Sequence, residues 1–212
     1  MPTPASDIPQ ARRVLAIDGA VLPGAAVPDL DDATLVRMDE VMALGRALDA
    51  QLAALTHGAA GDAPVGFHLP ARGDEATQLA VAALAPTDWV FPSPRDQLAW
   101  LWRGTPIGQL VDQLFGNAGD PCHGRQLPVH HADRARRLVS ISALPGTQIP
   151  QAVGAAYAAR ALGATDLAMA SFGDGSAGTG DFHVGVNFAA VWKAPVVLVC
   201  RCDLARPGAA RL

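Results

Sequence analysis

Apolar residues at helical spacing mark the first regular element of the chain. Residues 1 to 29 are rich in Pro, Gly and Asp and predict an extended N-terminal arm. Asp31 and Asp32 then precede apolar positions that recur at near-helical intervals, at Leu35, Met38, Met42, Leu48, Leu52 and Leu55. This pattern predicts an aspartate-capped helix, which would open a single domain over residues 30 to 212.

The middle of the chain combines helical segments with an irregular one. An alanine-rich helix is predicted over residues 73 to 85, just before a proline. Ser93 as the cap and Pro94 as the first helical residue predict a third helix that continues through Trp102. Residues 116 to 133 contain Gly, Pro, His and Arg without any period, which predicts a long loop. Loops of this length in compact domains are often functional.

Short apolar runs and small-residue helices predict the architecture of the C-terminal part. A helix of small residues is expected from Pro150 to Ala161, closed by Gly163. Around it the pattern predicts strands over residues 138 to 141, 167 to 172 and 195 to 200, a loop over 173 to 180 and a helix over 181 to 193. The strand–helix–strand unit implies a parallel sheet with helices on its faces, which is the α/β class. Ligands of such sheets gather at the carboxyl ends of the strands.

Charge and composition narrow the function without identifying it. The net charge is −4 and Lys and Arg form no stripe, so the sequence predicts no nucleic-acid partner. No apolar stretch reaches the roughly 18 residues of a membrane span, and the N-terminus lacks the apolar run of a signal peptide. A cytoplasmic protein without membrane contact is therefore expected. Half the residues are hydrophobic and 17% are charged, which favours a surface partly covered by a partner subunit.

Cysteine and histidine residues in and near the loop over residues 116 to 133 raise the question of a transition-metal site. Cys122, His123, His130 and His131 lie close together in the sequence, but their spacing matches no zinc-ligand pattern. A packing role in the loop is therefore predicted for them.

The glycine-rich segment Gly173-Asp174-Gly175-Ser176-Ala177-Gly178 carries the clearest chemistry. It fits the pattern G-x-G-x-x-G of dinucleotide sites, but that site needs an acidic residue roughly 20 positions later. The first acid after the next strand is Asp203, 29 residues beyond Asp174. A carboxylate at position 174 would also repel a pyrophosphate unless a divalent cation lay between them.

A bound cation makes this arrangement chemically consistent. Mg²⁺ takes carboxylate and diphosphate oxygens, glycines let the backbone approach closely, and a helix N-terminus favours the anion. Asp203 follows the neighbouring strand, where the strand–helix–strand geometry would bring it to the same crevice as Asp174. The alternative is an ordinary glycine-rich turn in which Asp174 caps a helix.

The sequence around this loop resembles that of a known family. Phe172 to Ser176, Gly180 to His183, Asn187 to Val191 and Ala194-Pro195 are similar to the thiamine diphosphate motif in the alpha subunit of 2-oxo acid dehydrogenases, most closely the branched-chain enzyme. Further blocks agree in the same order, namely Trp89 to Pro92 with Arg95-Asp96, Gly124 to His130, and Thr147 to Ala158. The resemblance spans about residues 30 to 201 and makes the dinucleotide alternative remote.

The resemblance implies a parallel-sheet, thiamine diphosphate-binding fold over residues 30 to 212 and a place in an α₂β₂ heterotetramer. The family's decarboxylating component oxidatively decarboxylates a 2-oxo acid and passes the acyl group to the lipoyl arm of an acyltransferase. The glutamate that activates thiamine belongs to the beta subunit, so no catalytic residue is expected in this chain. The substrate stays open among branched-chain 2-oxo acids, pyruvate and acetoin.

The same resemblance assigns the binding residues. Asp174 and Asp203 would bind Mg²⁺, and the diphosphate would be held by Arg95 and Arg201 together with the Gly173, Asp174, Gly175 and Ser176 segment. Ser142, Thr147 and Gln148 match a potassium site that steadies the cofactor loop. Simpler alternatives are that Arg95 is only solvated and that Thr147 and Gln148 cap the helix at Pro150.

Three departures from the family pattern bear on activity. Pro94 replaces the aromatic residue before the diphosphate arginine, and residues 143 to 146 differ from the family's loop. Cys202-Asp203 falls where the family has an Asn-Asn pair, and similarity stops there, although family members are about twice as long. A truncated or frameshifted chain with an incomplete C-terminus is therefore expected. A non-catalytic remnant or partner-binding subunit is the alternative to an active enzyme.

Overall fold

The chain divides into two compact units, residues 1 to 38 and residues 39 to 212. The computed structural model describes residues 14 to 56 and 65 to 202. In the first unit Leu15 and Val21 form an antiparallel bridge, and the backbone N–H of Thr34 donates to Asp31 Oδ1 at 2.6 Å. That bond is the aspartate cap expected at the start of the first helix. The division into an arm over residues 1 to 29 and a domain over residues 30 to 212 stays a prediction.

The described residues form six α-helices and three strands. The helices are α1 (Asp32–Thr56), α2 (Glu75–Gln78), α3 (Gln97–Trp102), α4 (Ile107–Phe115), α5 (Gln148–Ala161) and α6 (Gly180–Val191). The strands are β1 (Trp89–Phe91), β2 (Ala168–Gly173) and β3 (Val196–Arg201). Short 3₁₀ helices follow α2 at Leu79–Ala83 and follow β2 at Asp174–Gly178.

The sheet is parallel, in the order β1-β2-β3. Trp89 pairs with Ala168 at one end of the sheet, and Gly173 pairs with Arg201 at the other. The β2–α6–β3 unit confirms the predicted parallel connection, and with it the α/β class. All three strands run in the same direction, so their carboxyl ends lie at one edge.

Small residues set the packing of α5 on the sheet. Ala152 and Ala156 of α5 are buried against Phe91, Ala168 and Ala170 of the strands. Alanine at these positions lets the helix approach the strands closely, which fixes the height of α5 above the sheet. The predicted small-residue helix is confirmed, although it begins at Gln148, two residues before Pro150.

Gly185 marks a close contact between α5 and α6. A Cβ at this position would lie 2.6 Å from Ile149 Cγ2 and 3.1 Å from the Pro150 backbone nitrogen. We expect Gly185→Ala to lower the free energy of unfolding by about 1–2 kcal/mol, because overpacking outweighs the better helix propensity of alanine. Gly154→Ala in α5 is the matched control. A Cβ there meets nothing within 4 Å, so urea unfolding should show a gain of about 0.5–1 kcal/mol. Equal effects of the two substitutions would contradict this packing.

Two sequence-based predictions in the middle of the chain are wrong. The third helix begins at Gln97 rather than after Ser93, because Asp96 Oδ2 accepts the Ser93 N–H at 2.5 Å and holds a turn. The strand over residues 138 to 141 is reduced to a single parallel bridge between Leu138 and Val90. The adjoining Arg137 has φ +59°, which is incompatible with an extended strand.

Two other segments differ from the sequence pattern. The helix predicted over residues 73 to 85 is a four-residue α-helix followed by the 3₁₀ helix Leu79–Ala83. Helix α4, Ile107–Phe115, was not predicted. It ends at Gly116 with φ +60°, a left-handed termination that favours glycine.

Candidate functional site

The candidate residues gather at the carboxyl edge of the sheet. Arg201 is the last residue of β3 and pairs with Gly173, the last residue of β2. Asp174, the residue after β2, therefore lies beside the end of β3. Arg95 and Asp96 lie in the turn after β1. The strands bring these residues together from three distant parts of the sequence, as the parallel-sheet rule predicts.

Asp174 starts the 3₁₀ helix and does not cap α6. Its Oδ1 accepts the Gly175 N–H at 2.9 Å. The cap of α6 is Thr179, whose hydroxyl oxygen accepts the Phe182 N–H at 3.3 Å. The carboxylate of Asp174 is half-exposed and has no role in starting the helix, which argues against the simple capping alternative.

The glycine-rich segment leaves space for a ligand beside its backbone. A Cβ added at Gly173, Gly175, Gly178 or Gly180 would meet nothing within 4 Å. Ser176, in contrast, is 5% exposed, and its carbonyl oxygen accepts the Thr179 hydroxyl at 2.7 Å. The backbone at the glycine positions can therefore be approached closely, while Ser176 anchors the segment to the protein.

Arg201 is buried in an ion pair. Its Nη1 donates to Asp96 Oδ1 at 2.7 Å, and its Nη2 donates to the Ser93 hydroxyl oxygen. Asp96 is 2% exposed and also accepts from the Ser171 hydroxyl at 3.3 Å. Asp96 thus ties together the turn after β1, the middle of β2 and the end of β3.

Arg95 lies in the same turn but makes different contacts. Its guanidinium donates to the Pro70 carbonyl oxygen, and its backbone N–H donates to the Ser93 hydroxyl oxygen at 3.4 Å. The hydroxyl of Ser93 is therefore shared by the two arginines, whereas their guanidinium groups have separate partners. The simple alternative of a purely solvated Arg95 does not hold, since the side chain is half-buried and bonded.

The predicted potassium ligands have different partners. Ser142 and Thr147 both bond to Leu144, whereas Gln148 bonds to Ser171. The Leu144 N–H donates to the Ser142 hydroxyl oxygen at 3.1 Å, and the Thr147 hydroxyl donates to the Leu144 carbonyl at 2.9 Å. Gln148 instead donates from Nε2 to the Ser171 carbonyl at 2.9 Å. Neither Thr147 nor Gln148 makes a side-chain cap on α5.

Cys202 stands beside the candidate metal ligand. Its Sγ lies 4.0 Å from Asp174 Oδ2. Burial raises the pKa of the neighbouring Cys200 thiol, and the charges of Asp174 and Cys202 raise it further. Asp203, the other expected metal ligand, lies outside the described residues. Sequence reasoning gave no role to Cys202 or Asp96; the one available signal was the thiol at a position where the family carries an asparagine.

The two adjacent histidines after Pro128 are buried, as the predicted packing role requires. His131 is 3% exposed, its ring centroid lies 3.8 Å from that of Trp100, and neither ring nitrogen has a hydrogen-bond partner. His130 donates through its Nδ1–H to the Pro128 carbonyl oxygen, 2.7 Å away. Burial lowers the pKa of His131 to about 4, although the charges of Asp120 and Asp133 act in the opposite direction.

This buried imidazole predicts a loss of stability in mild acid. An unfolded histidine binds a proton below about pH 6.5, whereas folded His131 binds one only near pH 4. The free energy of unfolding therefore has its full value above pH 6.5 and falls by at most about 3 kcal/mol as the pH drops towards 4. We expect His131→Phe to flatten this part of the pH profile of urea unfolding, whereas exposed His183→Phe should leave it unchanged. A profile that keeps its slope in His131→Phe would contradict the assignment.

Over most of its length the chain is similar to known proteins. A model of the family "Dehydrogenase E1 component" matches residues 40 to 202. The chain is 37% identical over 190 residues to "2-oxoisovalerate dehydrogenase subunit alpha 1, mitochondrial" of Arabidopsis thaliana, covering 89% of this chain and 39% of that protein. It is 42% identical over 138 residues to the mouse subunit alpha, covering 65% and 31%. It is 34% identical over 191 residues to the subunit alpha of Caenorhabditis elegans, covering 89% and 43%.

The chain thus spans between about a third and two fifths of the length of these relatives. All three relatives are named as mitochondrial, which contradicts the expectation of a cytoplasmic protein. That expectation relied on the lack of an apolar signal run, a test for secretion. Mitochondrial transit peptides are amphipathic and Arg-rich instead, so the test could not detect them. No helix among the described residues is long and apolar enough to cross a membrane.

Proposed function

Because this chain belongs to the dehydrogenase E1 component family, we propose that it binds thiamine diphosphate and Mg²⁺ at the carboxyl edge of its sheet. The observation that carries the proposal is the placement of Asp174. Its half-exposed carboxylate begins a glycine-rich segment whose backbone faces open space, next to the pair formed by Gly173 and Arg201. A carboxylate, an approachable backbone and a nearby guanidinium are the donors that a metal–diphosphate group requires.

The residues present fit this group in their chemistry. Asp174 supplies an oxygen ligand for the cation, and Asp203 is proposed as the second. Gly173, Gly175 and Ser176 would contribute the backbone of the segment that faces the diphosphate. The approachable glycine positions support this assignment, because a side chain there would occupy the space that the anion needs.

Arg95 and Arg201 are proposed to provide the positive charge for the diphosphate. Arg201 uses two of its five N–H donors on Asp96 and Ser93. These bonds hold the guanidinium at the end of β3 and Asp96 offsets its charge, so its remaining N–H groups would be oriented as donors before any ligand arrives. Arg95 would act from the turn after β1, where its guanidinium donates to the Pro70 carbonyl oxygen, a neutral acceptor that does not offset its positive charge.

Ser142, Thr147 and Gln148 are proposed to bind K⁺ and so to steady the loop before α5. Ser142 and Thr147 already converge on the backbone of Leu144. Gln148 connects the same loop to β2 through its bond with Ser171. A potassium ion would take oxygen ligands. The hydroxyl groups of Ser142 and Thr147 and the side-chain carbonyl of Gln148 are ligands of this kind, which supports the proposal.

The proposed activity is that of a branched-chain-type 2-oxo acid dehydrogenase alpha subunit. When bound, thiamine diphosphate supplies the carbanion chemistry that decarboxylates a 2-oxo acid. Asp174 and the arginines of this chain bind and orient the diphosphate end of the cofactor. A beta subunit in an α₂β₂ assembly would supply the activating glutamate, and a lipoyl-bearing acyltransferase would accept the acyl group. The names of the relatives support the branched-chain substrate over pyruvate or acetoin.

The second candidate is a chain that binds cofactor and beta subunit without turnover. The two relatives are matched over 39% and 31% of their length, so binding and turnover are tested separately in this chain. Titration of thiamine diphosphate with and without Mg²⁺, measured by calorimetry, should show saturable binding that EDTA abolishes. Decarboxylation of 3-methyl-2-oxobutanoate with a cognate beta subunit then separates the two candidates. Binding without decarboxylation would favour the second, and metal-independent binding of NAD instead would contradict both.

A further inference from the structure

A chain of buried hydrogen bonds holds residues 68 to 71, the segment that Arg95 contacts. The Nε2–H of His68 donates to Asp49 Oδ1 at 2.8 Å, and Gln97 Nε2 donates to His68 Nδ1 at 3.3 Å. The side chain of His68 is 1% exposed and that of Asp49 is 11% exposed. A carboxylate can only accept and an amide nitrogen can only donate, so these two partners fix both nitrogens of the imidazole ring.

The carboxylate of Asp49 holds the same segment at a second point. Its Oδ1 also accepts the backbone N–H of Ala71 at 3.1 Å. Pro70 lies between His68 and Ala71, and its carbonyl oxygen accepts from the Arg95 guanidinium. Asp49, a buried residue of α1, therefore fixes the chain on both sides of the acceptor that the arginine contacts.

Gln97 connects this network to the turn that carries the arginine. It is the first residue of α3 and lies two positions after Arg95. Its bond to His68 therefore ties the turn after β1 to the segment that contains Pro70. Arg95 and its acceptor are thus held relative to each other. The contact with Pro70 uses one of the five N–H donors of a guanidinium, so other donors can reach a ligand.

We propose that Asp49 and His68 are positioning residues that order the Arg95 guanidinium before a diphosphate binds. The inference rests on the proposed function, in which Arg95 contacts the diphosphate. A mobile arginine loses side-chain freedom when it binds a ligand, and this loss weakens the affinity. An acceptor that is fixed by buried hydrogen bonds removes part of that freedom in advance. Because the acceptor is a carbonyl, the positive charge of the arginine is kept for the ligand.

A double-mutant cycle on the full chain tests the proposal, with calorimetric titration of thiamine diphosphate at fixed Mg²⁺. We expect Asp49→Ala to weaken binding by about five- to tenfold, the factor for a ligand that must order one mobile arginine. In an Arg95→Met background the same substitution should change the affinity by less than about twofold, because the residue through which Asp49 acts is gone. Asp49→Asn keeps an acceptor oxygen for His68 and Ala71, so its affinity should be within about twofold of the wild type.

The order of the Arg95 side chain gives a second measurement, which needs no ligand. Relaxation of the ¹⁵N nucleus of its Nε–H group should give an order parameter of about 0.8 in the wild-type chain and below about 0.6 in Asp49→Ala. Asp88→Ala is the matched control, because Asp88 is 4% exposed and its carboxylate also accepts two hydrogen bonds, from the Ala85 and Leu167 N–H groups. This control should lower the midpoint of thermal unfolding but change neither the order of Arg95 nor the affinity.

The two measurements separate this inference from the proposed function. Equal losses of affinity in the wild-type and Arg95→Met backgrounds, or an Arg95 side chain that stays ordered in Asp49→Ala, would overturn the positioning role. A wild-type chain without Mg²⁺-dependent binding of thiamine diphosphate would overturn the proposed function, and the relaxation measurement would still decide whether Asp49 orders Arg95. If Asp49→Ala does not fold, His68→Phe replaces it in both measurements, because phenylalanine fills the place of the imidazole ring but forms neither of its hydrogen bonds.

Discussion

Asp174→Asn is expected to lower the affinity of the chain for thiamine diphosphate in the presence of Mg²⁺ by about 100-fold. The substitution keeps the size of the side chain but removes the negative charge that would bind the cation. The loss of one ionised partner costs about 3 kcal/mol, which corresponds to that factor. Calorimetric titration at fixed Mg²⁺ measures it directly, and the fold should be unaffected because the carboxylate is half-exposed.

Asp181→Asn is the matched control for this titration. Asp181 lies seven residues further along the chain, in the first turn of α6, and is also partly exposed. The same unit of charge is removed from the same edge of the molecule, so a general electrostatic effect would weaken binding equally in both variants. We expect Asp181→Asn to retain affinity within about threefold, given the modest strength of a charge in the first helical turn. Similar losses in the two variants would remove the support for Asp174 as a ligand.

The β2–α6–β3 unit could be predicted because each of its signals is local. Apolar runs of strand length flank a glycine loop and a helix, and Pro195 marks the approach to β3. The parallel connection then places Asp174 and Arg201 at one edge without further information. Composition and spacing were therefore sufficient for this unit and for the position of Asp174, whereas the role of Arg201 was assigned by the family resemblance and stays a prediction.

The network around Asp96 could not be predicted from local signals. Asp96 and Arg201 are 105 positions apart in the sequence, and their ion pair exists only because β1 and β3 end at the same edge. The same network explains the mistaken helix start, because Asp96 uses its second oxygen to hold the Ser93 turn. Ser93-Pro94 has the composition of a helix start, but the side chain of Asp96, three residues after Ser93, holds a turn there instead.

The bridge at Leu138 illustrates a second limit of sequence reasoning. The run from Leu138 to Ile141 has the composition of a strand, and Leu138 does pair with Val90. Hydrogen bonding to β1 ends with the bond that the Val139 N–H donates to the Val90 carbonyl oxygen, and the left-handed Arg137 lies just before the run. The guanidinium of Arg137 lies 4.6 Å from the centre of the Trp89 ring, a contact that sequence spacing does not reveal.

Asp96→Asn is expected to be the most destabilising single change in the candidate site. Asp96 is 2% exposed and Arg201 is 9% exposed, so loss of the carboxylate charge leaves a guanidinium buried without its counter-ion. Breaking a buried pair in this way costs about 3–5 kcal/mol. For a chain of this size the midpoint of thermal unfolding should fall by about 6–20 °C. Circular dichroism or calorimetry would measure the shift.

Asp120→Asn serves as the control for burial alone. Asp120 is 1% exposed, but its carboxylate accepts the backbone N–H groups of Cys122 and Gly124 rather than an arginine. The amide retains one acceptor oxygen, so we expect a loss of only about 1–2 kcal/mol.

A double variant separates the ion pair from the other bonds of Asp96. Arg201→Met removes the buried positive charge and keeps most of the side-chain volume. If the cost of Asp96→Asn arises from an uncompensated guanidinium, Asp96→Asn combined with Arg201→Met should be more stable than the sum of the single losses by about 1–3 kcal/mol. Additive losses would instead mean that Asp96 stabilises the fold through the Ser93 turn and Ser171 alone.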